Sequence, residues 1–145
     1  MISETKPMTV EAFDEWVELP ENADRLFEYI GGETVEVPSN AFASMVAGII
    51  LGELYIFLKG KNLGYLTGEA GGYRVSGERY APDVAFISKA RQETLATRGY
   101  NPVPPDLVVE VDFPSTYESQ RQLITKVVNY LAAGTVVWVV LPEVK

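Results

Sequence analysis

Asp83 in Ala81-Pro82-Asp83-Val84 and Glu110 in Leu107-Val108-Val109-Glu110-Val111 each set a carboxylate into a short, otherwise apolar run rich in β-branched residues. Burying a lone charge is costly, so carboxylates in such surroundings have partners. Two acids delivered on neighbouring strand ends can hold a divalent cation, which takes hard oxygen ligands. Glu110 lies 27 residues beyond Asp83 (110 − 83), enough for a strand, a surface excursion and a return strand alongside. A third acid, Glu28, shares the facing direction of Leu26 and Ile30, which puts it on an apolar face. The ordinary alternative for Glu28 is a strand-edge glutamate leaning into water.

Composition narrows what chemistry these acids can join. The 145 residues include no cysteine, which excludes disulfide scaffolds, thiolate metal sites and cysteine nucleophiles. They also include no histidine, so catalysis must run on carboxylates, lysine, tyrosine or hydroxyls. A net charge of −8 argues against a broad basic surface for nucleic acid, but leaves room for a local patch or a metal-assisted site. Length and a 47% hydrophobic content fit a single domain over residues 1–145 with a core of its own. The start, Met1 to Pro7, lacks the basic and apolar regions of a signal peptide, so a cytoplasmic protein is expected. The apolar stretch Ala41 to Leu58 is interrupted by Gly48, Gly52 and Glu53, so no membrane span is expected.

The elements that must position the acids follow from periodicity and turn chemistry. Thr9 can cap a helix from Val10 to Leu19, with Phe13, Trp16 and Val17 on its apolar face. Gly31-Gly32 between two alternating runs predicts a tight hairpin, because glycine tolerates the positive φ of two-residue turns. A second helix, Asn40 to Leu58, is apolar on most sides and is therefore central, or buried by a second subunit. Short strands at Gly64–Thr67 and Gly72–Val75 lead through an exposed turn, Ser76 to Arg79, into the strand Asp83–Ile87. Ser88 to Arg98 reads as a short surface helix, and the proline run to Pro105 as a stiff approach to the strand Leu107–Val111. Ser115 and Glu118 match a capping box for a third helix reaching Ala132, and Thr135–Leu141 reads as a strand covered on both faces.

With these elements in order, Phe27-Glu28-Tyr29-Ile30-Gly31-Gly32-Glu33, Tyr80-Ala81-Pro82-Asp83-Val84-Ala85-Phe86 and Pro104-Pro105-Asp106-Leu107-Val108-Val109-Glu110-Val111 stand as successive landmarks. Pro114-Ser115, Lys126 to Gly134, and Val137-Trp138-Val139-Val140 follow them. Through these pieces most of the chain resembles the Uma-two family of nucleases, a branch of the PD-(D/E)xK restriction-endonuclease-like superfamily. The resemblance implies an α/β (α+β) fold, a restriction-endonuclease-like mixed β-sheet flanked by helices. It further implies a Mg2+- or Mn2+-dependent endonuclease with DNA as substrate, in which Asp83 and Glu110, with the backbone carbonyl of Val111 or Asp112, ligate the metal. Glu28 would be the third acid of the site.

The superfamily pattern puts a lysine two residues after the glutamate, where this chain has Asp112. In the Uma-two branch that role passes to the following helix, and Lys126 is the matching residue, sharing a face with Gln122 and Tyr130. Its ammonium near Glu110 could position the water or stabilise developing charge. The bland alternative is a solvated helix lysine paired with a nearby acid. Family members often carry a histidine near Ser44 and usually continue beyond the Trp138 strand, so the resemblance implies either a C-terminally short member or one with part of the fold missing. The competing function is a catalytically idle homodimer or regulatory module that uses the apolar second helix or an exposed Trp138 edge for protein contacts.

Overall fold

The computed structural model describes residues 5–38 and 40–142. Strand β1 (Thr5–Pro7) precedes helix α1 (Val10–Val17), which Thr9 caps by accepting from the Ala12 amide. Strands β2 (Phe27–Ile30) and β3 (Glu33–Glu36) form the expected hairpin, with Gly31 and Gly32 at φ +59° and +83°. Helix α2 (Ala41–Leu58) begins at the Asn40 side chain, which accepts from the Ala43 amide. Strands β4 (Gly64–Thr67), β5 (Tyr73–Val75), β6 (Glu78–Tyr80), β7 (Val84–Ser88) and β8 (Leu107–Val111) follow, then helix α3 (Tyr117–Ala132) and strand β9 (Val136–Val140).

The strands form two sheets. An antiparallel one runs β1-β3-β2-β6-β5, and a mixed one runs β4-β7-β8-β9, with only β8 and β9 parallel. Strand alternation assigns the two faces of the mixed sheet to different layers. Val84, Val109 and Val111 pack with Ala47 under α2, whereas Ala85 and Val108 pack with Tyr130 of α3 and with Tyr73, Val75 and Tyr80 of the antiparallel sheet. The joint between the two sheets and α3 is thus the main core, and α1 closes the outer side of the antiparallel sheet with Phe13 on Phe27 and Tyr29.

Several local expectations are revised. Ser76 and Gly77, at φ +49° and +81°, make a two-residue hairpin turn, so Glu78 and Arg79 lie in a strand instead of an exposed turn. Arg79 is buried there because Asp14 receives it in a fork, Nε to Oδ1 at 3.0 Å and Nη2 to Oδ2 at 2.9 Å. Ser88 to Arg98 is not helical beyond the end of β7. The buried Asn101 side chain takes hydrogen bonds from the Ala96 amide and Gln92 and donates to the Val103 carbonyl, doing for this segment what helical hydrogen bonds would. The capping box sits one residue later than read, between Thr116 and Ser119. β9 is not covered on both faces: it is an edge of the mixed sheet, and Val136 and Trp138 are exposed. α2 is not central either. Among its residues only Ala47 is buried, and its length and hydropathy match a membrane span even though one side packs on β7 and β8.

Candidate active site

β7 and β8 pair antiparallel with Val84 opposite Val109, so continuing the register by one residue sets Asp83 opposite Glu110. Both positions fall on the face that also carries Ala85 and Val108, away from α2. Directly opposed residues on one face have Cβ atoms about 4.5 to 5.5 Å apart. Pro82 and Ala81, both buried, bring the chain into β7, and the Val111 amide donates to Asp83 Oδ2 at 2.7 Å. No hydrogen bond reaches the other Asp83 oxygen among the described residues.

Lys126 enters from α3. It lies three residues after Leu123 and four before Tyr130, and these three are the buried residues of that helix. The lysine is 8% exposed, and its Nζ lies 3.1 Å from Glu110 Oε2 and 3.2 Å from Glu28 Oε1. β2 is the central strand of the antiparallel sheet, so Glu28 is buried instead of leaning into water. Its Oε2 also accepts from the Ala81 amide at 2.8 Å, which ties β2 to the segment leading into Asp83. Tyr130 donates to Glu110 Oε1 at 3.2 Å. Each carboxylate that flanks the lysine therefore has both oxygens engaged.

The electrostatics follow from one ammonium among three acids. Burial would drive Lys126 down, but Glu110 and Glu28 outweigh it and hold the ammonium well above its usual range, so it stays protonated. Burial pushes Glu110 up, against the opposing pull of Lys126, and pushes Asp83 up to about 6. Tyr130 rises for the same reason, burial first and then the negative charge of Glu110, so it remains a hydrogen-bond donor.

Glu28, Asp83, Glu110 and Lys126 line one cleft of about 710 Å3 between β2, the start of β7, the end of β8 and the N-terminal turn of α2. Asp112 and Ser44 line it too. No three His, Cys, Asp or Glu side chains are grouped as a cation cage among the described residues. The hard donors at hand are the Asp83 and Glu110 carboxylates and the Val111 carbonyl, which suits an ion such as Mg2+ that keeps several waters and uses one or two carboxylates. Tyr130 is not among the site residues expected from the sequence, although its spacing of four from Lys126 puts the two on one helix face.

A family model described as "Putative restriction endonuclease" matches residues 10–145. The chain belongs to the Uma2 family. A crystal structure of a "putative nuclease" from Anabaena variabilis has the same fold as this Uma2 chain, with a TM-score of 0.71 at 19% identity over 92% of this chain and 73% of the other. No curated protein matches the chain.

Proposed function

We propose that this Uma2 protein is a divalent-cation-dependent endonuclease acting on DNA phosphodiesters. The observation that carries the reading is Lys126: a helix lysine distant in sequence from both acids reaches into the core to contact Glu110 and Glu28 beside Asp83. Asp83, Glu110 and the Val111 carbonyl would hold Mg2+ or Mn2+. Bound there, the ion would acidify a water and neutralise charge on the phosphate.

The chain's own residues divide the remaining work. Lys126, held protonated by Glu110 and Glu28, is a donor and a source of positive charge. Glu28 anchors the ammonium and fixes Ala81, so its role is positioning. Tyr130 holds the far oxygen of Glu110 and thereby aims the carboxylate along the sheet face. Asp83 is partly buried beside them, and charges strengthen one another where water is excluded.

A second reading, the catalytically idle module, is favoured by one observation: both Glu110 oxygens are already satisfied within the fold. Nicking of supercoiled plasmid separates the two. Cleavage that requires Mg2+ or Mn2+ and disappears in Asp83→Ala and Glu110→Ala supports the enzyme. Cleavage that persists in both variants belongs to a contaminant, and absence of cleavage with either ion supports the idle module.

A further inference from the structure

α2 leaves an apolar face in water that its own chain does not cover. Phe42, Met45, Ile49 and Ile56 recur on the side opposite Ala47 and are 42% to 69% exposed, and Glu53 is the one charged residue in the helix. Gly48 and Gly52 lie on the same side, and a Cβ added at either would meet nothing within 4 Å. Glycine weakens a helix interior, and no close approach within this chain requires it at these positions. A close approach from outside does: glycines four apart let a second helix backbone come near.

We propose that α2 is the seam of a two-fold homodimer in which antiparallel helices cross at Gly48 and Gly52, bringing the partner's Lys59 and Lys61 to the mouth of the acidic cleft. With the axis level with Ile50, position i faces position 100 − i along the helices. Gly48 then meets Gly52, and Lys59 meets Ala41, which lines the cleft. The lysine part rests on the nuclease reading; the seam does not.

Area and charge both favour a second copy. Phe42, Met45, Ile49, Tyr55 and Ile56 are each roughly half exposed, and at about 100 Å2 apiece they present on the order of 500 Å2. Glycine backbone and lysine stems add to this, toward the roughly 800 Å2 per partner of a stable interface. The cleft is lined by Glu28, Glu69, Asp83, Glu110 and Asp112 against a single lysine, a poor match for a polyanion. Lys59 and Lys61 are exposed and make no ion pair among the described residues, although Lys61 Nζ sits 3.5 Å from the centre of the Phe57 ring. Insertion of α2 into a membrane would instead strip it from Val84, Val109 and Val111 and open the core beneath.

Sedimentation velocity on the full chain across a micromolar series tests the seam. We expect a dimer, and a folded monomer by circular dichroism for Gly48→Leu with Gly52→Leu. Met45→Glu with Ile49→Glu, also expected to be monomeric, asks the same question by charge should the leucine variant fail to fold. A monomeric wild type, or a dimer that survives both variants, overturns the seam. So does a wild type that pellets with phosphatidylglycerol vesicles as a monomer, in favour of a lipid surface. Because the chain has no cysteine, a mixture of Ala41→Cys and Lys59→Cys proteins should cross-link with a short bismaleimide, while neither does so alone; the reverse pattern overturns the antiparallel crossing. Lys59→Glu with Lys61→Glu should stay dimeric and bind a short duplex in Ca2+ about tenfold more weakly, with a shallower salt dependence. Unchanged affinity overturns the lysine role. A wild-type dimer that binds no duplex overturns it together with the nuclease reading, and leaves the seam supported.

Discussion

Lys126 carries a positive charge into a place where burial would otherwise leave Glu28 and Glu110 unpaired. Removing one member of a buried ion group strands the rest, typically at about 3 to 5 kcal/mol. Lys126→Met should therefore lower the urea midpoint strongly, and more at pH 8 than at pH 5, because protonation of Glu110, already pushed up by burial, relieves the stranded charge at lower pH. Asp83 behaves in the opposite sense. Its folded pKa of about 6 lies above its usual 3.8, so the folded state binds more protons between those values and stability rises as pH falls through that window. Above it the ionised carboxylate is a cost of about 2 to 3 kcal/mol. Asp83→Asn, whose amide oxygen can still accept from Val111, should raise the melting temperature of the cation-free protein at pH 8 and give no gain at pH 4. Failure to see that crossover would mean that Asp83 is not held in a costly state.

At the scale of elements, the site depends on how strands β7 and β8 and helix α3 are seated. β4 holds the far side of β7 through Gly64, where an added Cβ would lie 2.2 Å from the Ile87 carbonyl oxygen and 2.8 Å from Ser88 Cα. Gly64→Ala should cost at least about 2 kcal/mol in chemical unfolding, since the β7 backbone that the new Cβ would meet cannot yield. The α3 cap is a milder test: Thr116→Ala removes the acceptor for the Ser119 amide and should cost about 1 kcal/mol. Because Lys126 is in the third turn of α3, that loss is expected in stability and not in the position of the ammonium.

For the whole molecule, a charge of −8 with an acid-lined cleft means that the cation binding proposed above would stabilise the fold. An ion that binds the folded state at a hundredfold excess over its Kd adds about 2.7 kcal/mol. Mg2+ or Mn2+ should raise the melting temperature by several degrees at pH 8, read by differential scanning calorimetry. The rise should shrink as pH falls through about 6, where protons compete for Asp83, and should be absent in Asp83→Ala. An equal rise in that variant would place cation binding elsewhere.

Local chemistry settled the parts of this fold that depend on a few neighbouring residues. Gly31-Gly32 permits a two-residue turn, Thr9 can cap α1, and the runs around Asp83 and Glu110 suit strands whatever surrounds them. The order of the family landmarks carried the fold class, and with it the pairing of Asp83 with Glu110. Burial belongs to the assembled layers instead. Periodicity made α2 and β9 apolar but could not show that α2 has only one covered side, or that β9 stands at an edge. The solvent exposure of Glu28 and Lys126 was equally open, because a charged side chain is buried only when a counter-charge from another element meets it. β2, β8 and α3 converge to make that meeting, across separations of 98 and 16 residues, and tertiary structure alone brings them into contact.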